Sequence, residues 1–181
     1  IVVAVVALLL NINRMHTLRH PYITKEALGY RNMGAILLAF LVLCCLQTTP
    51  TILQNIFTGS ILKYDVLNSV SLNWWNLLGI VLGALAVYYW HARLHGGYKR
   101  AVFTGFALIV IYQCFMYFLV DPQMNIEWLY LPTLLRGAGY VMIYISLTVY
   151  ISGFVPFQHF FQVLSLLGFV RTGFGSAFGS A

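Results

Sequence analysis

Two arginines inside long apolar segments are the residues in this sequence most able to do chemistry. Arg136 lies about two helical turns into the segment 129–152, and Arg171 lies midway along the segment 160–181. An arginine at the centre of a membrane span costs about 2.5–3.5 kcal/mol to insert, so it normally faces a helix bundle or a wet cavity. Arg136 can line such a cavity, snorkel to the outer headgroups or cap a neighbouring helix end. We expect Arg171, which stands beside glycines, to form hydrogen bonds that lock helices together.

Polar side chains recur near these positions every three or four residues, the spacing that places them on one face of a helix. In the segment 33–56 this face carries Gln47, Thr51 and Gln54, next to a proline. In the segment 129–152 it carries Arg136, Tyr140, Tyr144 and Thr148. We interpret the two faces as walls of one central cavity that takes a small amphipathic substrate. Polar contacts within a packing seam are the alternative interpretation.

Other chemistries have little support in the sequence. The histidine pairs His16/His20 and His91/His95 have the four-residue spacing of zinc ligands on a helix, but no cysteine or carboxylate completes either set. A glycine-rich phosphate loop, a nucleophile elbow and paired membrane carboxylates are also missing. The sequence therefore predicts no metal site, no cofactor and no enzyme activity.

Composition identifies the environment that must position these residues. Of the 181 residues, 61% are hydrophobic and only 8% are charged, whereas soluble domains carry about 25% charged residues. The formal net charge is +6, but the basic residues form short runs between apolar segments instead of one exposed face. This pattern argues against nucleic acid as a partner and for the lipid bilayer. The fold class expected is an all-α polytopic membrane protein.

Apolar runs of the length needed to cross a bilayer, about 20 residues, predict the membrane helices. Five full helices are expected, at 33–56, 70–91, 101–120, 129–152 and 160–181. A membrane β-barrel would instead need segments of about ten residues that alternate apolar and polar side chains.

The remaining residues complete the predicted domain organisation. Residues 1–13 are expected to be the end of a truncated membrane helix, and 14–32 a cytoplasmic basic loop with an amphipathic segment. Residues 33–181 form the C-terminal transmembrane bundle. The chain opens and closes inside apolar runs, so we expect an excerpt of a longer polypeptide.

Lysine and arginine counts predict the orientation of the bundle, because cytoplasmic loops are enriched in these residues. Alternate loops hold seven basic residues against one, Lys63, so the basic loops are assigned to the cytoplasm. Glycines at intervals of about four residues predict close helix packing. One seam consists of Gly79 and Gly83, and the other of Gly168, Gly175 and Gly179 with Thr172.

Three stretches of sequence carry a resemblance to a known family. They are RLHGGYKR at 93–100, LPTLLRGAG at 131–139 and RTGFG at 171–175. Together with the order of basic and outer loops, they resemble the C-terminal half of the major facilitator superfamily, most closely its fourteen-helix drug:proton antiporter group. The first stretch resembles the family's gating loop without its aspartate. By this resemblance, the gating residues are Arg93, Gly96, Gly97, Lys99 and Arg100.

The resemblance implies a secondary transporter that works by alternating access between two helical bundles around a central site. It implies proton-coupled export of amphipathic small molecules, as in multidrug efflux, from the cytoplasmic (inner) membrane of a bacterium. The missing N-terminal half of the same polypeptide would then be the partner of this bundle and would supply the coupling acid. A channel, or an accessory membrane subunit without a transport cycle, is the alternative function.

Overall fold

Five α-helices make up most of the computed structural model. It describes residues 29–30, 32–63, 65–93, 97–118, 121 and 123–174, with the isolated positions 6, 10, 13 and 177. The helices are α1 (Met33–Ile56), α2 (Val66–Ala92), α3 (Tyr98–Phe118), α4 (Glu127–Ser152) and α5 (Phe157–Phe169). Short π-helical segments, Phe57–Ile61 and Val170–Phe174, continue α1 and α5. The described residues contain no β-strand.

Four of these helical segments are long and apolar enough to cross a membrane: Met33–Ile61, Leu67–Ala92, Tyr98–Phe118 and Glu127–Ser152. The prediction of an all-helical integral membrane protein is therefore confirmed for the described residues. The fifth predicted span, 160–181, stays a prediction. Its described part comprises α5 from residue 160 onward, the π-helical turn that follows and the isolated position 177.

Several helices begin before the apolar segments from which they were predicted. Helix α2 begins at Val66 instead of 70, and α3 begins at Tyr98 instead of 101. Helix α4 begins at Glu127 instead of 129, and α5 at Phe157 instead of 160. Hydropathy marks only the stretch that lies in hydrocarbon, while a helix continues into the interface because its backbone groups still need hydrogen-bond partners there.

Some predicted features lie outside the described residues. They are the truncated helix at 1–13 except for three isolated positions, most of the loop 14–32, and the histidines His16, His20 and His95. Gly96 of the gating loop and the seam glycines Gly175 and Gly179 also lie outside the described residues.

Helix α4 lies between α2 and α3 and makes its most extensive contacts with them. Glycines allow this close approach. A Cβ atom built at Gly83 would lie 2.7 Å from the carbonyl oxygen of Ala138, and one at Gly105 would lie 2.8 Å from that of Gly139. Such distances exclude a side chain, so backbones pack directly on backbones along both interfaces. The predicted glycine seam on α2 thus faces α4.

Helices α1 and α5 attach to this three-helix core mainly through aliphatic and aromatic side chains. One buried cluster joins α1, the end of α4 and α5, and comprises Met33, Ile36, Phe40, Ile151, Val155, Val163 and Leu167. A second joins α1, α3 and α4 through Leu43, Ile109 and Ile143. Two groups of polar side chains, described below, complete the attachment of α1.

Single cysteines will test the predicted orientation of the helices. We expect an impermeant thiol reagent, applied to intact cells, to modify Asn125→Cys in the loop before α4 but not Gly97→Cys in the loop before α3. Both positions are exposed, so accessibility of the residue itself does not distinguish them. The background replaces Cys44, Cys45 and Cys114, the free cysteines. Modification of Gly97→Cys with protection of Asn125→Cys would reverse the topology.

Candidate functional site

A buried polar cluster lies where α1, α3 and α4 meet, and Arg136 is at its centre. The Arg136 Nη1 donates a hydrogen bond of 2.9 Å to Gln54 Oε1 on α1. The Tyr112 hydroxyl on α3 donates to the same oxygen at 3.2 Å, and Gln54 Nε2 donates to Thr133 Oγ1 at 3.4 Å. The guanidinium carbon also stands 5.4 Å from the centroid of the Tyr112 ring. These contacts, called the Arg136 cluster below, join three helices through side chains.

Prolines and threonines shape the two helices that meet in this cluster. Pro50 in α1 and Pro132 in α4 each remove one backbone donor, and each is followed directly by a threonine. The Thr51 hydroxyl donates to the Gln47 carbonyl at 2.6 Å, and the Thr133 hydroxyl donates to the Leu129 carbonyl at 2.7 Å. Hydroxyls bonded in this way leave the helix surface with fewer free donors and tend to bend the helix.

The charge of Arg136 has no carboxylate partner among the described residues. The side chain is only 3% exposed, and among the described residues it forms hydrogen bonds with Gln54 and Tyr112 and a cation–π contact with the Tyr112 ring. The described acids Asp65, Asp121 and Glu127 are all exposed, and Glu127 lies nine residues before Arg136, about 14 Å along the axis of α4. Neutral dipoles and an aromatic ring therefore stabilise a cation that would cost about 2.5–3.5 kcal/mol at the centre of a membrane helix.

One edge of the Arg136 guanidinium makes no hydrogen bond to any described residue. Nε is buried without a partner, and the hydrogen bonds of the side chain to the described residues Gln54 and Tyr112 are both made through Nη1. Nε and Nη2 form one edge of the planar group, and this edge matches the two oxygens of a carboxylate or phosphate. The cluster thus holds the arginine by Nη1 and leaves Nε, on the bidentate edge, buried without a hydrogen-bond partner.

A second polar group surrounds Arg171 in the π-helical segment after α5. Its Nη1 donates to the Tyr140 hydroxyl at 3.4 Å, and its guanidinium carbon stands 5.3 Å from the centroid of the Tyr144 ring. The Cys44 thiol on α1 donates to the Arg171 backbone carbonyl at 2.7 Å. These contacts link α1, α4 and the end of α5. π-Helical turns often occur at functional sites because they displace a side chain from its regular helical position.

A small cavity of about 20 Å³ adjoins this second group, enough space for about one water molecule. Its lining combines a cation, two hydrogen-bonding side chains and apolar residues from α1, α4 and α5. The lining residues are Phe40, Tyr144, Thr148, Leu164, Leu167, Gly168 and Arg171.

The two predicted polar faces are thus divided between the two groups. Gln54 and Arg136 meet in the Arg136 cluster, whereas Tyr140, Tyr144 and Thr148 lie with Arg171. The hydroxyl of Thr148 bonds to the backbone of its own helix, at the Tyr144 carbonyl. Gln47 and Thr51, both partly buried, are joined by the local hydrogen bond described above.

Several residues of the two groups were not identified as site residues from the sequence, although the positions of two of them in the sequence could have indicated it. Thr133 precedes Arg136 by three residues and therefore shares its helical face. Tyr112 lies well inside an apolar segment, away from the interfaces where aromatic belts form. Cys44 and Phe40 have no such signal, because small thiols and phenylalanines are ordinary core residues.

The packing and gating residues predicted from the sequence are placed as follows. Gly79 and Gly83 face Leu134 and Ala138 of α4, and no described atom lies within 4 Å of a Cβ built at Gly168. In the predicted gating loop, the described residues are all exposed, and the carbonyl of Gly97 accepts the first backbone hydrogen bonds of α3. These exposed residues are Arg93, Gly97, Lys99 and Arg100.

Metal ligands do not assemble in the part of the chain that the structure describes: it contains no group of three or more histidine, cysteine, aspartate or glutamate side chains that could hold an ion. His91 of the second histidine pair instead packs its ring against Tyr98, with 4.7 Å between the ring centroids.

No protein-family model, curated protein or solved structure matches this chain. The geometry of the two polar groups is therefore the basis for a functional proposal.

Proposed function

We propose that the chain is one helical bundle of a secondary active transporter of the major facilitator type, which exports amphipathic small molecules by alternating access. The observation that carries the proposal is the Arg136 cluster. A membrane helix that keeps a costly arginine more than nine-tenths buried, held by side chains of two other helices, is typical of a substrate or ion pathway.

Helix α1 packs differently from α2, α3 and α4, and this difference supports the proposal that one part of the bundle moves. Helices α2 and α3 each approach α4 through glycines, and interfaces of this kind hold backbones at short distance. Helix α1 meets α4 through buried apolar clusters and through side-chain hydrogen bonds to Arg136 and Thr133, and water or a ligand can replace these hydrogen bonds. In our proposal, α1 parts from the three-helix core when the site opens.

The proposed transport cycle requires a second bundle. Alternating access moves two bundles against each other around a site near the membrane midplane. We assign the opposite wall of the site to an N-terminal half of the same polypeptide, and with it the acidic group that couples export to protons. All four acids of the present sequence lie in predicted loops or at helix ends. The proposed location is the bacterial cytoplasmic membrane, and the proposed reaction involves no cofactor, no nucleic acid and no covalent catalysis.

Removing the charge of Arg136 tests the proposal. We expect Arg136→Gln to lower the rate of proton-coupled dye export at least about tenfold, which corresponds to about 1.4 kcal/mol of lost interaction. Everted membrane vesicles, energised to form a proton gradient, report this rate as substrate-dependent proton release. Lys63→Gln removes one positive charge from an exposed loop residue and serves as the matched control.

The level of folded protein decides how a loss of export is interpreted. Equal membrane levels of Arg136→Gln and wild type, with export lost in the variant alone, support the transporter. Unchanged export by Arg136→Gln at equal protein level would contradict it.

A non-transporting accessory subunit is the second candidate, because Gln54 packs directly on Arg136 and Thr133 with hydrogen bonds instead of an intervening space. Such contacts also serve as permanent links between membrane helices. In an accessory subunit, Arg136→Gln would reduce the amount of folded protein, and wild-type vesicles would show no substrate-dependent proton release with any amphipathic dye. A channel would instead pass its ion without a coupled proton flux.

A further inference from the structure

We propose that the unpartnered Nε edge of Arg136 binds the carboxylate of an amphipathic anion, so that the transported molecules include organic acids with an apolar tail. This inference rests on the proposed transport function and names the charge of its substrate. It concerns the edge formed by Nε and Nη2, which makes no hydrogen bond to a described residue.

The orientation of the guanidinium carries the first step. Gln54 Oε1 and the Tyr112 hydroxyl both contact Nη1, so they fix the plane of the group while leaving its opposite edge unused. A carboxylate binds such an edge with two parallel hydrogen bonds, and a neutral or cationic ligand offers no matching pair of acceptors. The cluster is thus preorganised for a planar oxyanion.

The charge balance carries the second step. A buried cation strongly favours an anionic partner, because few water molecules or ions screen it. The described carboxylates Asp65, Asp121 and Glu127 are exposed and do not contact Arg136. A free anion that binds there would supply the missing negative charge. It would remove that charge again on release, as a transport site requires.

The surroundings of the cluster carry the third step. Leu129 and Pro132 of α4 are buried in the same region of the helix, and Leu43, Ile109 and Ile143 form an apolar cluster where α1, α3 and α4 meet. A ligand whose charge pairs with Arg136 must therefore place its remaining atoms among hydrocarbon side chains. An aliphatic acid meets both requirements.

Binding of three probes with the same ten-carbon tail tests the charge preference. The full chain is purified in a neutral detergent, and its thermal unfolding midpoint is measured with decanoate, decanol or decyltrimethylammonium below their micellar concentrations. We expect decanoate to raise the midpoint in a saturable way, because a ligand that binds only the folded state stabilises it. Decanol and decyltrimethylammonium should give no saturable rise.

An isosteric substitution then places the binding at Arg136. Gln54→Glu puts a permanent carboxylate beside Nη1, where the wild-type oxygen lies 2.9 Å away, so it should weaken decanoate binding at least about tenfold. The matched control is Gln113→Glu, which makes the same change on α3 next to Tyr112 without contacting Arg136 and should keep decanoate binding. Arg136→Lys, which retains the charge but loses the planar fork, should bind decanoate about tenfold more weakly.

Three results would overturn the inference. Equal stabilisation by all three probes would mean that the tail alone binds. Undiminished decanoate binding in both Gln54→Glu and Arg136→Lys would place the anion elsewhere. No response of the wild type to decanoate would show that the edge does not bind a free carboxylate.

The transport assay with dyes, described above, separates this inference from the proposed function. Dye export without decanoate binding would leave the transporter proposal intact and remove only the anion preference. Decanoate binding that depends on Arg136, without export of any dye or of decanoate, would contradict the transporter and identify a regulatory anion site.

Discussion

Gly83→Ala will lower the stability of the protein by about 1–3 kcal/mol, while Gly34→Ala will leave it unchanged or slightly higher. The added Cβ at Gly83 would lie 2.7 Å from the Ala138 carbonyl oxygen and 2.5 Å from Val141 Cγ1. The Val141 side chain can rotate away, but the α4 backbone can move only if the two helices separate. The Cβ at Gly34 meets no atom within 4 Å.

Thermal unfolding in detergent, followed by circular dichroism, measures the difference between these matched variants. Gly105→Ala should behave like Gly83→Ala, since its Cβ would lie 2.8 Å from the Gly139 carbonyl oxygen across the α3 interface. Equal unfolding midpoints for Gly83→Ala and Gly34→Ala would show that α2 and α4 are not held at the distance the structure gives.

These interfaces show how far the sequence predicts the fold. The spacing of Gly79 and Gly83 identifies a close-packed face on α2, because a repeat of four residues aligns small residues on one side of a helix. It does not identify Leu134 and Ala138 as the surface opposite. That pairing depends on the rotation and crossing angle of two helices, and these are set by all the side chains at the contact.

The candidate site was predictable to a similar degree. Helical spacing places Gln54 and Arg136 on polar faces of two different helices, and the structure brings them within a hydrogen bond. The division of the α4 face between Arg136 and Arg171 has no local signal. Tyr140 follows Arg136 by one turn, but its hydroxyl accepts from Arg171, a residue more than thirty positions away. This contact depends on how α4 packs against the segment that follows α5, and the spacing of residues within one helix does not specify that packing.

Two single substitutions in the Arg136 cluster are expected to differ strongly in their loss of stability: Gln54→Leu will destabilise the protein more than Arg136→Leu. Gln54→Leu removes the charged hydrogen bond to Arg136, worth about 1.5–3 kcal/mol, and leaves a buried cation with only the Tyr112 ring and hydroxyl. Arg136→Leu removes the charge itself, and Gln54 Oε1 keeps the Tyr112 hydroxyl as a donor at 3.2 Å. The inserted leucine also avoids the cost of an arginine in the membrane.

The double variant Gln54→Leu/Arg136→Leu completes the test, with unfolding midpoint and export rate both measured. We expect most of the stability lost in Gln54→Leu to return in the double variant, because no buried charge then lacks its partner. Export should stay absent, since the group proposed to hold the substrate is gone. A double variant less stable than either single variant would make the cluster a structural link. Recovery of export together with stability would remove Arg136 from the transport site.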